Sequence, residues 1–290
     1  MAEQKEVDAH SGVETTGHSW DGIKELNNPL PSWWLWTFYA TIVFAIVYTV
    51  LYPAWPGISQ ATGGVLGWSS RGELAEEMAA ARSEQSVWLE KLAATEPAQI
   101  VADPNLTQFA VAGGSSAFKV YCVQCHGSGA AGGPGYPNLN DDDWIWGGSI
   151  DTIYTTLKHG VRHQADDDTR VSDMPAFGRD EILDRQQISD IAWYVRDISG
   201  QDADAAAAAR GKPLFDENCA ACHGEQGEGI REVGGPRLND AIWLYGGSHA
   251  EIVRQVTAPR QGVMPAWGDR LSDETVKQLA IYVHRLGGGE

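Results

Sequence analysis

The stretch that decides the fold is Cys122-Val123-Gln124-Cys125-His126, together with its copy, Cys219-Ala220-Ala221-Cys222-His223. In the pattern CxxCH, each thiol can bond one vinyl group of a haem, and the adjacent histidine lies on the same helical turn and can reach the iron. The two copies use all four cysteines in the chain, so none is left for a disulfide. The alternatives are a zinc site, which also uses CxxC with histidine, and two reduced thiol pairs. We expect two covalently bound haems c, attached through Cys122, Cys125, Cys219 and Cys222.

The composition limits the domain count and the partners. A chain of 290 residues has room for about two ordinary domains. It carries 39 acidic and 21 basic side chains, a formal net charge of −18. This charge argues against binding to nucleic acid or to anionic membrane surfaces, and it favours a partner with a basic patch. Solubility alone is the alternative explanation of the acidity.

An apolar segment near the N-terminus predicts a membrane anchor at residues 31–54. Residues 33–52 contain no charged side chain, and as a helix they would be roughly 30 Å long, the thickness of a bilayer's hydrocarbon core. Tryptophan and tyrosine mark both ends, as at two membrane interfaces. A signal peptide is the competing interpretation, but it requires a basic start, a shorter apolar stretch and a small-residue cleavage site. We therefore expect one transmembrane helix that is embedded in membrane lipid.

Two segments flank this anchor. Residues 1–30 are polar and show no amphipathic repeat, so we expect a loosely ordered tail. Residues 55–105 are a connector that contains a predicted helix over residues 73–92. The apolar stripe of this helix could pack on its own haem domain or lie along a partner subunit. The stripe comprises Leu74, Met78, Ala81, Trp88 and Leu92.

The rest of the chain is an internal repeat, which predicts two domains at residues 106–200 and 201–290. In the last helix of each copy, apolar residues recur at the same spacing and define one buried stripe. We expect an all-α fold: one transmembrane helix followed by two tandem class I-like cytochrome c domains. Each domain would have a small core shared between its own first helix, its own last helix and its haem. The matching stripe positions are Ile188, Ile191, Ala192, Val195 and Ile198, and Val276, Leu279, Ala280, Val283 and Leu286.

The iron ligands follow from residues that recur in both copies. His126 and His223 are the expected fifth ligands. Met174 and Met264 each open a Met-Pro-Ala-aromatic-Gly loop downstream of a CxxCH site, and we expect them as sixth ligands. A lone methionine is usually core filler, but two in matching loops indicate ligation. Such irons are six-coordinate, pass electrons and are closed to substrate, so no catalytic residue is expected.

Three finer expectations concern the surroundings of the ligands. The carbonyls of Pro137 and Pro236 are candidate acceptors for the second ring nitrogen of the two histidines. Between the middle helix and the methionine, the first copy has a longer loop, where His159 or His163 could replace the methionine as ligand. Residues 166–168 are aspartates, which could steer a basic redox partner toward the first haem or simply be solvated.

The acidic tail, single anchor, connector and two CxxCH domains with Met-Pro-Ala loops together resemble the membrane-bound dihaem subunit, subunit III, of cbb3-type cytochrome c oxidases. The resemblance implies an electron entry arm in the bacterial inner membrane, with a cytoplasmic N-terminus and periplasmic haem domains. Electrons from a c-type cytochrome donor with a basic patch would pass through both haems to the monohaem subunit. The catalytic subunit would then reduce oxygen and pump protons.

Two other function classes stay open from the sequence. One is a free membrane-anchored dihaem carrier, or the cytochrome subunit of a periplasmic dehydrogenase. The other is a dihaem peroxidase, which needs one iron with an open or displaceable ligand. The matching methionines, Met174 and Met264, argue against the peroxidase.

Overall fold

A computed structural model describes residues 6–287 of the chain. The chain divides into two compact units, Met1–Glu84 and Gln85–Glu290. The first five residues of the predicted tail and the last three of the second predicted domain lie outside the described residues.

The predicted tail contains a β-hairpin, so the expectation of a loosely ordered segment was wrong there. Strand β1, Thr15–Trp20, pairs antiparallel with β2, Ile23–Leu26. The two residues between the strands, Asp21 and Gly22, have φ angles of 52° and 85°. A two-residue turn with both φ angles positive matches the right-handed twist of a hairpin, and Asp-Gly is one of the dipeptides that form it.

Helix α1, Ser32–Leu51, coincides with the predicted anchor. It has a mean hydropathy of 1.8 and no buried side chain, and among the described residues it is the one helix long and apolar enough to cross a membrane by length and composition. It ends just before Pro53, which cannot continue a helix. Its three threonines, Thr37, Thr41 and Thr49, donate their hydroxyl hydrogens to backbone carbonyls of the same helix. The threonine hydroxyls are therefore satisfied within the helix, as hydrocarbon requires.

The predicted connector helix is α2, Ser70–Ala93. Its last turns belong to the second unit, where Leu92 is fully buried and Trp88 stacks on Phe109 with ring centroids 5.7 Å apart. Leu74 and Met78, in the first unit, are 58% and 45% exposed. The C-terminal end of the predicted stripe is therefore packed on the haem-domain core. The alternative, contact of the stripe with a partner subunit, concerns only the N-terminal half of the helix.

The second unit is built from nine further helices within the described residues. In chain order they are α3 (Pro97–Ala102), α4 (Pro104–Tyr121), α5 (Val123–His126), α6 (Ile150–His159), α7 (Arg185–Ile198), α8 (Ala205–Asn218), α9 (Ala220–His223), α10 (His249–Thr257) and α11 (Asp273–His284).

The terminal helices of the two repeats are exchanged. Helix α11, the last of the second repeat, packs on α3, α4 and α6 of the first, whereas α7, the last of the first repeat, packs on α8 and α10 of the second. The expectation that each domain pairs its own first and last helices was therefore wrong. The periodicity of the sequence correctly identified the apolar stripe of each terminal helix. It could not show which first helix each stripe contacts, because the two stripes are equivalent.

Both exchanged helix pairs cross in the same way. At Gly114 of α4, an added Cβ would lie 2.1 Å from the backbone oxygen of Gln278 in α11, so the two backbones touch where no side chain fits. One turn later, the Phe118 ring packs on Tyr282 with centroids 5.3 Å apart. The second crossing repeats this arrangement with Gly211, Asp190, Phe215 and Tyr194.

Candidate haem sites

Each CxxCH motif begins where the first long helix of its repeat ends. Cys122 follows the last residue of α4, and the short helix α5 turns back so that the His126 amide donates to the Cys122 carbonyl at 2.9 Å. Cys122 and Cys219 are buried, whereas Cys125 and Cys222 are exposed. Burial raises the pKa of the Cys122 thiol to about 11 and that of Cys219 to about 12. Before a haem is attached, both thiols are therefore protonated at neutral pH.

The two histidines are oriented by the carbonyls predicted from the sequence. His126 Nδ1 lies 3.0 Å from the Pro137 oxygen, and His223 Nδ1 lies 2.8 Å from the Pro236 oxygen. Because a carbonyl can only accept, Nδ1 carries the hydrogen and Nε2 is left as the base. Burial also lowers the pKa of both imidazoles. A neutral ring with Nε2 deprotonated is the form that binds a metal, so both residues fit the role of proximal haem ligand.

A mainly apolar cavity of about 320 Å³ lies beside the second motif. Its wall includes Cys219, His223 and Met174, so a thiol, an imidazole and a thioether face one space. These are the donor types that hold a c-type haem and its iron. The other lining residues include Ile191, Phe215, Leu238, Trp243, Ile252 and Val256 from the second core, and Tyr136, Pro137, Asn138 and Asp143 from the first repeat.

The two methionines predicted as iron ligands are exchanged between the repeats, as the terminal helices are. Met174, from the first repeat, packs against the core that contains Cys219. Met264, from the second repeat, packs against the core that contains Cys122, and its backbone forms two 3.0 Å hydrogen bonds with Val161 of the first repeat. The core that contains each buried cysteine therefore has one methionine packed against it, and each methionine comes from the other repeat.

The long loop of the first repeat folds on itself. The Asp166 carboxylate lies 3.1 Å from His159 Nδ1, and both side chains are largely buried. Arg170 closes the loop by donating from Nε to the Thr156 hydroxyl at 2.8 Å. The structure thus uses His159 to fasten the acidic loop, while Asp167 and Asp168 are exposed.

Sequence reasoning missed that the first repeat supplies part of the second cavity. The contributing segment, residues 131–145, follows its own CxxCH motif closely, so order along the chain suggested only its own haem. Both repeats share a Pro, Leu, Asn and Asp after the motif, and this likeness gives no sign that one copy faces the other site.

Comparisons with known proteins find relatives over nearly the whole chain. A family described as "N-terminal domain of cytochrome oxidase-cbb3, FixP" matches residues 12–59, which include the hairpin and α1. A second family, "Cytochrome C oxidase, cbb3-type, subunit III", matches residues 109–195 and 206–283. The chain belongs to the subunit III family of cbb3-type cytochrome c oxidases.

Curated members of the subunit III family are similar over nearly their full length. The cbb3-type cytochrome c oxidase subunit FixP of Rhizobium meliloti (strain 1021) is 54% identical over 286 residues, which cover 99% of this chain and 98% of that protein. Subunit CcoP of Cereibacter sphaeroides is 55% identical over 276 residues, with 95% of each chain covered. Subunit CcoP of Azospirillum brasilense is 52% identical over 295 residues, with 99% of each covered.

Membership in the subunit III family confirms the broad expectations from sequence. The chain is a membrane-anchored cytochrome c electron-transfer subunit of a cbb3-type oxidase, it carries c-type haem, and its partners include other subunits of that oxidase. The all-α class with one N-terminal apolar helix and two tandem cytochrome domains is also confirmed. The family therefore favours an oxidase subunit over a free carrier or a dehydrogenase subunit.

Proposed function

We propose that the chain binds two haems c and conducts electrons from a c-type cytochrome donor with a basic patch to the monohaem and catalytic subunits of the oxidase. The haems are attached through Cys122 and Cys125 and through Cys219 and Cys222. The chain itself does not reduce oxygen or pump protons; those steps belong to the catalytic subunit. The anchor lies in the lipid of the inner membrane, with the N-terminus in the cytoplasm and the haem domains in the periplasm.

The ligand pairs in this proposal are His126 with Met264, and His223 with Met174. The observation that carries it is the single cavity shared by Met174, His223 and Cys219, with Met264 packed against the core that contains Cys122. An iron with imidazole and thioether ligands is six-coordinate, and the soft sulfur raises its reduction potential. On both irons this arrangement favours electron transfer over peroxide chemistry.

The pairing is tested in a background that lacks one haem. With Cys122→Ala and Cys125→Ala, the only remaining haem is attached at Cys219 and Cys222. In this background Met174→Leu should convert the haem to a high-spin form that binds carbon monoxide, because the thioether is lost. Met264→Leu should leave it low-spin and closed. Visible and magnetic circular dichroism spectra distinguish the two states, and the opposite pattern would show that each methionine serves its own repeat.

The role in the oxidase is tested separately by co-migration. A native gel of mild-detergent extracts is stained for haem and for oxygen-dependent oxidation of a reduced c-type cytochrome. We expect this chain in the band that carries oxidase activity. A chain that never migrates with that activity would contradict the proposed function, whatever its ligands are.

A further inference from the structure

One peptide segment borders both haem sites. The Pro137 carbonyl accepts the Nδ1 hydrogen of His126, the proximal histidine of the first motif, at 3.0 Å. Pro137 also lines the cavity that holds Cys219, His223 and Met174, next to Tyr136 and Asn138. Its counterpart Pro236 accepts from His223 and lines the cavity of that same histidine. Both equivalent prolines therefore line the second site, and Pro137 links it to the histidine of the first motif.

Backbone hydrogen bonds and close contacts at two glycines hold the segment in this place. The Gly135 amide donates to the Leu244 carbonyl of the second repeat at 2.7 Å. At Gly135, whose φ is +87°, an added Cβ would lie 3.2 Å from the Tyr245 ring. At Gly132, with φ of +67°, a Cβ would lie 2.3 Å from the Tyr136 oxygen and 2.6 Å from the Pro137 oxygen. Both glycines occupy the left-handed region, which other residues adopt at a cost.

We propose that Pro137 is the positioning residue for electron exchange between the two haem sites, since its carbonyl fixes the His126 ring and the same residue forms part of the wall of the second site. This inference rests on the proposed function, because it requires a haem at both motifs. The hydrogen bond to His126 and the place in the wall of the second cavity put one residue on the route between the two sites. The carbonyl also tunes the first ligand, because it sets the orientation and basicity of the histidine.

The two roles of Pro137 can be separated by substitution. Pro137→Ala keeps the carbonyl and removes most of the ring, so the histidine is still held but the contact with the second site is lost. Pro137→Val keeps the carbonyl and restores apolar bulk. We expect slower exchange between the haems in Pro137→Ala and near-normal exchange in Pro137→Val, with both haems low-spin.

Gly135→Ala provides an independent test that leaves both prolines in place. Its Cβ would press on the Tyr245 ring and widen the seam between the repeats, so it should also slow the exchange. Gly129→Ala is the matched control, because Gly129 lies in the same loop with nothing within 4 Å of an added Cβ and with no positive φ. This control should exchange electrons at the wild-type rate.

The experiment uses the full chain with both haems in detergent. A laser flash delivers less than one electron per protein from an external photoreductant, and freeze-quench electron paramagnetic resonance follows how the electron redistributes between the two low-spin haems. Spectroelectrochemical titration gives the two midpoint potentials. Wild-type exchange in both Pro137→Ala and Gly135→Ala would overturn the inference, as would equal slowing in Gly129→Ala. Absence of exchange in the wild-type chain would instead contradict the proposed two-haem conduit.

Discussion

At the residue scale, one buried carboxylate on α7 binds an arginine on α8 and so links these two helices, which come from different repeats. The Asp190 side chain is only 5% exposed, and Arg210 donates to it from Nη2 at 2.7 Å and from Nε at 2.9 Å. Gln186 adds a third hydrogen bond at 3.0 Å. The bonds from Arg210 hold the pKa of Asp190 below its ordinary value. A bidentate, charge-assisted pair of this kind fixes geometry as well as adding stability.

The pKa of Asp190 predicts how this contact depends on pH. Because the folded-state pKa lies below the unfolded value of about 3.9, the stabilisation is fully present above that pH and is lost as the pH falls through the folded pKa. Asp190→Asn should lower the free energy of unfolding at pH 7 and remove part of its decline below about pH 4. Denaturant unfolding from pH 3 to 8 measures both effects.

Asp180→Asn is the control for this prediction. Asp180 also pairs with an arginine, Arg179, but both side chains are exposed, and exposed pairs contribute little. An Asp190→Asn variant with the same pH profile as Asp180→Asn would contradict the expected role of the buried pair.

At the element scale, the contact between α4 and α11 depends on one glycine. In Gly114→Ala the new Cβ would meet backbone atoms of Gln278, which can move only with the whole helix. Overpacking of this kind costs about 1–3 kcal/mol. We expect a lower melting temperature for the haem-loaded chain, measured by circular dichroism.

The neighbouring glycine provides a matched comparison. A Cβ on Gly113 would meet only the end of the Gln278 side chain, which can rotate away. Alanine also has a helix propensity about 1 kcal/mol better than glycine. Gly113→Ala should therefore be near neutral or stabilising, and equal destabilisation by the two variants would show that the helices do not cross at Gly114.

The elements were predictable from local sequence, and their pairing was not. Ser149, Ser248 and Ser272 each accept a hydrogen bond from the first turn of the helix they precede, as their positions indicate. The stripes of α7 and α11 are buried as their spacing predicts, except at their last positions, Ile198 and Leu286, which are half-buried. Which of two equivalent helices each stripe contacts depends on bonds between the repeats, such as that of Asp190 with Arg210. A bond of this kind joins single residues in separate repeats and leaves no pattern in the local sequence. The hairpin was detectable at Asp21-Gly22, but the polar composition around it obscured the signal.

At the scale of the whole molecule, neither repeat is complete alone. Truncation after Ala258 removes Met264 and α11, which belong to the core around Cys122. The core around Cys219 keeps Met174, α7, α8 and α10. We expect the truncated chain to have one haem that binds carbon monoxide, and that haem should be the one at Cys122, although the deletion lies in the other repeat.

Carbon monoxide titration with visible spectra measures the number of open irons in the truncated chain. The Cys219→Ala and Cys222→Ala variant of the same truncation identifies which haem is open, because only the first haem is then present. A closed first haem in this variant would contradict the exchanged pairing.

The exchange also has a consequence for the order of biosynthesis. A polypeptide is made from its N-terminus, so the motif at Cys122 leaves the ribosome well before Met264 exists, whereas Met174 is already present when Cys219 emerges. With the proposed pairing, the second iron can be closed as soon as its haem is attached, and the first must wait for the C-terminal part of the chain. Closure of the first iron thus reports that synthesis has passed Met264, and a prematurely terminated chain is marked by a reactive, open haem.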